Sequence, residues 1–130
     1  MAGLILIVDD DPDLRQMLRH LFESDGYDVI EAADGDTAWD LVSVRRPAIL
    51  VTDLQMRGFD GFALARRLRE SEFARMGIIV YTGQPVTGDE ARRAGADELV
   101  LKTEPISRLR EVVERLQRNE REGPLVDPLE

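Results

Sequence analysis

The most constraining feature of this sequence is a set of four short apolar runs, each followed by a polar side chain. The runs have the length of β-strands, are rich in β-branched residues and lack polar alternation, which is typical of parallel strands buried on both faces. A charged residue is tolerated at the end of such a strand, because the carboxyl edge of an open α/β sheet is where ligands bind. The runs span residues 4–8, 49–52, 78–81 and 99–101, and they are followed by Asp9, Asp53, Thr82 and Lys102, respectively.

Between these runs, the sequence shows the periodicity of amphipathic helices. The first helix is predicted to begin at Pro12, with Asp11 as its cap, and to stop at Gly26. A more polar, weakly alternating segment, residues 27–32, is predicted to be a strand at the sheet edge. Further helices are predicted near residues 34–47, 62–68, 89–94 and 106–116. Five strands alternating with five helices predict an α/β fold with a doubly wound parallel sheet.

Length and charge narrow the class of protein. A chain of 130 residues suffices for one domain, which we assign to residues 1–121, with residues 122–130 as a flexible C-terminal tail or linker stub. Its 26 acidic and 17 basic side chains give a formal charge of -9, which disfavours binding to nucleic acid or anionic membranes.

The absence of cysteine excludes thiol chemistry and thiolate metal sites. Because no apolar run is long enough to span a membrane, we expect a cytoplasmic protein.

The polar side chains at the strand ends indicate phosphoryl chemistry. Asp9, Asp10 and Asp53 would repel one another at close range, so we expect them either to take up a proton or to bind a hard cation such as Mg²⁺ or Mn²⁺. An aspartate run before a helix can also be no more than a helix cap. With a cation present, Asp53 can act as a nucleophile toward a phosphoryl group. The Lys102 ammonium can then pair with phosphoryl oxygens, and the Thr82 hydroxyl can donate a hydrogen bond to one.

These residues and their spacing resemble the receiver domain of two-component response regulators, the CheY-like family, from Leu4 to about Leu116. The resemblance implies a flavodoxin-like (βα)5 fold with strand order 2-1-3-4-5. The matching segments are residues 7–11 (IVDDD), 53–61 (DLQMRGFDG), 82–83 (TG) and 95–97 (GAD), together with Lys102.

The resemblance also implies a role for each residue of the acidic site. Asp53 would be the phosphoacceptor, receiving a phosphoryl group from a histidine kinase, a phosphotransfer protein or a small phosphodonor. Mg²⁺ would be bound directly by Asp10 and Asp53, and largely through water by Asp9. The backbone carbonyl of Gln55 would be a third protein ligand.

The remaining roles implied by the resemblance concern signalling. Thr82 would follow the phosphoryl group and Lys102 would hold it, so that the new charge biases a surface with two states. That surface would signal to a downstream protein or an output domain. A receiver catalyses only its own phosphorylation and dephosphorylation, so we do not expect an enzyme that acts on other substrates. The last helix and the short helix before it are candidate surfaces for a homodimer.

The sequence departs from the family pattern near Lys102. The family usually has proline directly after this lysine, whereas here Thr103 and Glu104 precede Pro105. The aromatic residue that usually stands three positions before the lysine is replaced by Leu99. These differences favour one alternative function, that of a pseudo-receiver that binds proteins and signals without phosphorylation.

A second alternative is a phosphatase of the haloacid-dehalogenase type, which also uses a strand-end aspartate, a threonine and a lysine. Asp9 and Asp11 provide its Asp-x-Asp spacing, but Asp13 stands where that motif requires threonine or valine. No acidic metal motif follows Lys102, and Asp53 would have no role in such an enzyme. The phosphatase interpretation is therefore disfavoured.

Overall fold

The predicted strands form one parallel sheet in a computed structural model that describes residues 3–118. The strands are β1 (Leu4–Val8), β2 (Asp28–Ala32), β3 (Ile49–Thr52), β4 (Gly77–Thr82) and β5 (Glu98–Leu101). They alternate with helices α1 (Pro12–Ser24), α2 (Gly35–Arg45), α3 (Gly61–Arg69), α4 (Gly88–Arg93) and α5 (Ile106–Gln117). The sheet order is β2-β1-β3-β4-β5 and every neighbouring pair is parallel. The doubly wound fold, the strand order and the edge position of β2 are thus confirmed.

Strand β1 shows why the apolar runs lack polar alternation. Ile5 and Ile7 belong to a core on one face of the sheet, whereas Leu6 and Val8 belong to a core on the other face. Successive side chains of a strand point to opposite faces, so a strand covered on both sides must be apolar throughout. The first core is completed by buried residues of α1 and α5, namely Leu18, Phe22, Leu109, Val112, Val113 and Leu116. The second is completed by residues of α2, α3 and α4, namely Ala38, Val42, Leu64, Ala65, Leu68 and Ala91.

Aspartate side chains set where three of the helices begin. Asp11, Asp34 and Asp60 each precede a helix, and the carboxylate of each accepts a hydrogen bond from a backbone N–H of the first turn. Such caps satisfy amide groups that have no partner within the helix. Because Asp60 is a cap, α3 begins at Gly61, one residue before its predicted start. At the other end of α1, Gly26 adopts a φ of 97°, which accords with its predicted role as a helix stop.

Strand β5 begins one residue earlier than predicted, at the charged residue Glu98. Glu98 is only 3% exposed, although it lies in a strand. Its carboxylate pairs with Arg115 and accepts a hydrogen bond of 3.4 Å from Arg108 Nη2, so two cations of α5 compensate for the burial of its charge. The apolar run predicted for β5 omitted this residue because the sequence pattern does not reveal partners on a helix that is distant along the chain.

Two smaller differences concern helices α1 and α4. Met17 shares the helical spacing of the apolar residues of α1, yet it is 47% exposed and lies outside the core. Helix α4 spans Gly88–Arg93, one residue before the predicted 89–94, because Thr87 caps its N-terminus and forms a capping box with Glu90 of its first turn.

The structure bears on the membrane expectation only within the residues that it describes. Within residues 3–118, no helix has both the length and the apolar character needed to cross a membrane. The predicted boundary at residue 121 and the predicted tail, residues 122–130, lie outside the described range.

Candidate functional site

The site lies at the carboxyl edge of the sheet, where β1 and β3 end side by side. Val8 is paired with Thr52 in the parallel register, so the residues that follow, Asp9 and Asp53, are neighbours. Two backbone hydrogen bonds fix this arrangement. The Asp53 N–H donates to the Val8 carbonyl at 2.9 Å, and the Asp9 N–H donates to the Ala32 carbonyl of β2 at 3.1 Å.

Three carboxylates converge at this edge. Asp9, Asp10 and Asp53 each offer an oxygen, and these oxygens lie within 4.8 Å of one another. Asp9 is buried, Asp53 is half-buried and Asp10 is exposed. Burial raises the pKa of the Asp9 carboxyl above its ordinary value, although hydrogen bonds from Lys102 and from a backbone amide act in the opposite direction. Repulsion from the Asp53 carboxylate raises the pKa of Asp9 as well, so both the predicted convergence and the predicted repulsion are present.

Lys102 directly follows β5, two strands away from β3, and its side chain reaches this cluster. Its Nζ lies 2.9 Å from Asp9 Oδ2 and 2.9 Å from Asp53 Oδ2. Burial alone would lower the pKa of Lys102, but hydrogen bonds to the two carboxylates outweigh it and the pKa is raised. The ammonium also lies 5.9 Å from the ring centroid of the buried Tyr81, a distance at which the face of an aromatic ring attracts a cation.

No proline directly follows Lys102, and hydrogen bonds define the turn at residues 101–104 instead. The Leu101 N–H donates to Glu104 Oε2 at 2.8 Å, and the Glu104 N–H donates back to the Leu101 carbonyl at 2.9 Å. The Lys102 N–H donates to the Thr82 carbonyl at 2.8 Å, which ties the start of the turn to β4. Although no proline directly follows Lys102, these hydrogen bonds shape the turn, and the Lys102 side chain contacts the acidic cluster.

Thr82 ends β4 at the same edge of the sheet, and its side chain is buried. Its hydroxyl oxygen accepts a hydrogen bond of 3.1 Å from the Gln84 N–H. The Gln84 side chain donates from Nε2 to Gln55 Oε1 at 2.9 Å, so the loops after β3 and β4 are linked. This contact joins residues that are 29 positions apart in the chain.

The donor set fits a hard divalent cation. All three side chains are carboxylates, the ligand type that Mg²⁺ prefers, and they lie close enough together to contact one ion. One of them, Asp10, is exposed, and no residue within 3–118 donates a hydrogen bond to its carboxylate. A cation would also offset the mutual repulsion and the burial that disfavour ionisation of Asp9. The Gln55 carbonyl stays a predicted ligand.

Some contacts around the site have no signal in the sequence. Arg15 donates to the Asp9 carbonyl at 2.6 Å, and Glu104 and Tyr81 contact the segment that carries Lys102. An arginine near the start of a helix, or a glutamate in a turn, is ordinary surface composition in a chain with 33% charged residues. The sequence predicts only the residues at the strand ends, because each apolar run shows where its strand ends.

Comparison with protein families gives one match over most of the chain. A family model described as "Response regulator receiver domain" matches residues 5–114. The transcriptional regulatory protein SrrA of Staphylococcus aureus is 32% identical over 117 residues, which make up 90% of this chain and 47% of that protein. The chain therefore spans about half the length of this curated relative.

Three solved structures of similar fold are 26–29% identical to this chain. A Francisella response regulator receiver domain has a TM-score of 0.84 at 27% identity, with 90% of this chain and 98% of that chain covered. A receiver domain of a signal transduction histidine kinase from Syntrophus aciditrophicus has a TM-score of 0.83 at 29% identity, with 97% and 98% covered. The receiver domain of a Pseudomonas aeruginosa sensor histidine kinase, described with magnesium in its active site cleft, has a TM-score of 0.81 at 26% identity, with 91% and 99% covered.

Proposed function

The chain belongs to the response regulator receiver domain family, and on this premise we propose that it is the phosphoacceptor of a two-component phosphorelay, with Asp53 as the acceptor residue. The observation that carries the proposal is the position of the Lys102 ammonium, 2.9 Å from carboxylate oxygens of both Asp9 and Asp53. A cation at this point can hold an anionic group on Asp53, and aspartate carboxylates are known nucleophiles in phosphoryl transfer. Membership of the receiver family and the geometry of this chain both support Asp53 as the acceptor.

The acidic cluster fits the Mg²⁺ pocket of receiver domains. We assign Asp10 and Asp53 as direct ligands, Asp9 as a ligand through water, and the Gln55 carbonyl as a third protein ligand. Mn²⁺ has similar ligand preferences and is expected to substitute. A divalent ion in this position neutralises charge on the transferring phosphoryl group.

The proposed reaction is an in-line displacement on phosphorus. A carboxylate oxygen of Asp53 attacks the phosphorus of a phosphohistidine, an O–P bond forms, and the P–N bond breaks so that imidazole leaves with its electron pair. Lys102 already contacts the Asp53 carboxylate, so its ammonium can move to the phosphoryl oxygens without crossing the pocket. The Thr82 hydroxyl accepts a hydrogen bond from the backbone N–H of Gln84. We expect Thr82 to give up this bond and to donate to the phosphoryl group.

The proposed partners follow from the family. We expect a histidine kinase or phosphotransfer protein as the phosphodonor, and a downstream protein or an output domain as the receiver of the signal. A homodimer is an additional prediction. We place the receiver domain at residues 1–121 of a cytoplasmic protein, and we do not assign an enzymatic activity on other substrates.

Incubation with acetyl phosphate and Mg²⁺ tests the proposal. We expect the intact mass to increase by one phosphoryl group in the wild type and in Asp40→Asn, a control at an exposed carboxylate on α2. Asp53→Asn should show no increase, because an amide is not a nucleophile for this reaction. Hydroxylamine should remove the group, since it cleaves acyl phosphates.

Two results would contradict the proposal in different ways. A wild-type protein that gains no mass would support the pseudo-receiver alternative. Turnover of a phosphate ester that persists in Asp53→Asn would instead support the phosphatase alternative.

A second prediction concerns Mg²⁺ alone. Since the ion binds the folded site and not the unfolded chain, it should raise the melting temperature. The expected gain in free energy of unfolding is about 2.7 kcal/mol when free Mg²⁺ is about a hundredfold above its dissociation constant. The measurement is a thermal melt with MgCl₂ against KCl at equal ionic strength. Asp10→Ala should abolish the Mg²⁺-dependent shift, and an equal shift in that variant would remove Asp10 from the ligand set.

A further inference from the structure

We propose that Arg15 is a positioning residue for the metal site, because it holds the peptide group that joins Asp9 to Asp10. This inference rests on the proposed function, in which both aspartates serve Mg²⁺. Arg15 lies near the start of α1, and its Nη1 donates to the Asp9 carbonyl at 2.6 Å. Its Nε donates to Glu31 Oε1 at 3.1 Å. One guanidinium thus links the β1–α1 loop to strand β2.

Together with a backbone hydrogen bond, these contacts join Asp9 to strand β2 at two points. The Asp9 N–H donates to the carbonyl of Ala32, which is the next residue after Glu31. The N–H and the carbonyl of Asp9 are therefore both tied to the same segment of β2, the first directly and the second through Arg15. The Asp9 carboxylate is held in addition by the Asp11 N–H at 2.9 Å.

The position of the Asp10 side chain depends on these hydrogen bonds more than that of Asp9 does. Its side chain is exposed, and no hydrogen bond from residues 3–118 fixes its carboxylate. The peptide group before Asp10, whose carbonyl oxygen Arg15 binds, therefore places the Cα and Cβ from which this carboxylate extends. Groups that orient a metal ligand in this way affect metal affinity even though they do not touch the ion.

Charge and geometry make opposite predictions for the loss of Arg15. A cation beside a metal site repels the metal, so removing it would tighten Mg²⁺ binding if charge were its only effect. The positioning role predicts weaker binding instead. Glu31 already compensates the charge of Arg15 and also accepts a hydrogen bond of 2.5 Å from Arg19 Nε. Arg19 therefore shares the Glu31 contact but does not contact Asp9, which makes it a matched control.

The experiment is a calorimetric titration of the whole chain with MgCl₂, which needs no phosphodonor. We expect Arg15→Gln to bind Mg²⁺ about tenfold more weakly than the wild type. Arg15→Lys should show a similar loss, because lysine keeps the charge but cannot donate to Asp9 and Glu31 in the same fork geometry. Arg19→Gln should stay within about twofold of the wild type, as expected for a partly exposed ion pair. Metal-free melting temperatures of all variants report any loss of folding separately.

The outcomes separate this inference from the proposed function. If the wild type binds Mg²⁺ and both Arg15 variants bind it as tightly or more tightly, the positioning role is wrong and the metal site stands. If Arg19→Gln loses as much affinity as Arg15→Gln, the effect comes from Glu31 and the role of Arg15 is also wrong. If the wild type binds no Mg²⁺, the metal site itself fails and the inference fails with it. Should Arg15→Gln not fold, Arg15→Lys carries the test.

Discussion

Replacement of Gly61 by alanine is expected to lower the free energy of unfolding by about 3 kcal/mol, at the upper end of what overpacking costs. Gly61 is the first residue of α3, and it packs directly against the backbone of the phosphoacceptor segment. A Cβ at this position would lie 2.2 Å from the Asp53 carbonyl oxygen and 3.1 Å from the Leu54 Cα. These are backbone atoms, so no side-chain rotation relieves the clash. Chemical denaturation measures the change.

Gly83→Ala is the matched control for this prediction. Gly83 follows Thr82 in the loop after β4, also at the carboxyl edge, and a Cβ there would meet no atom within 4 Å. Its effect on stability should stay within about 0.5 kcal/mol. If Gly61→Ala were as stable as Gly83→Ala, the close approach of α3 to Asp53 would be wrong. The same clash should displace the Asp53 carboxylate, so we also expect Gly61→Ala to weaken Mg²⁺ binding while Gly83→Ala does not.

The sheet and the acidic site could be predicted from the sequence for a single physical reason. In a parallel sheet, all strands end at the same edge, so locating the end of each apolar run also locates the residues that meet there. Asp9, Asp53 and Lys102 were identified in this way, and the 2.9 Å contacts of the Lys102 ammonium show that they do converge. Thr82 also lies at this edge, although its contact with a phosphoryl group stays a prediction.

The features that escaped prediction depend on where side chains point after folding. Glu98 is buried in β5 because two arginines of α5 reach it, and helix periodicity does not specify such partners. Lys102 keeps its position without a proline directly after it because the Glu104 side chain closes the turn. A glutamate three residues after a strand residue has many available rotamers, so its sequence position alone does not indicate a hydrogen bond. For the same reason, the link from Arg15 to the Asp9 carbonyl is visible only in the structure.

Loss of the Arg69 side chain is the second change for which we expect a large effect. Arg69 ends α3 and donates to three backbone carbonyls, at distances of 2.6 Å to Gly95, 2.8 Å to Ala74 and 2.6 Å to Met76. Its Nη2 also donates to Asp97 Oδ2 at 2.9 Å. Arg69 therefore joins the loop before β4 to the loop before β5.

Asp97 makes these two loops sensitive to the loss of Arg69. The Asp97 side chain is only 11% exposed, and its Oδ2 also accepts a hydrogen bond of 2.8 Å from the Ile78 N–H of β4. Arg69→Ala would remove the positive charge that Arg69 places beside this carboxylate, and would remove a donor from three backbone carbonyls. Removing one partner of a buried pair is more destabilising than the pair itself is stabilising, because the remaining charge stays desolvated.

We expect Arg69→Ala to lower the free energy of unfolding by about 3 kcal/mol, as measured by urea denaturation. The control is Arg66→Ala on the same helix, an exposed arginine whose loss should cost at most about 0.5 kcal/mol. If the desolvated Asp97 carboxylate causes part of the loss, Arg69→Ala should cost about 1 kcal/mol less in an Asp97→Ala background, since the two residues are in direct contact. Equal costs in both backgrounds would assign the whole effect to the carbonyl contacts. A cost no greater than that of Arg66→Ala would mean that water replaces Arg69 at every one of its partners, and that the two loops do not depend on it.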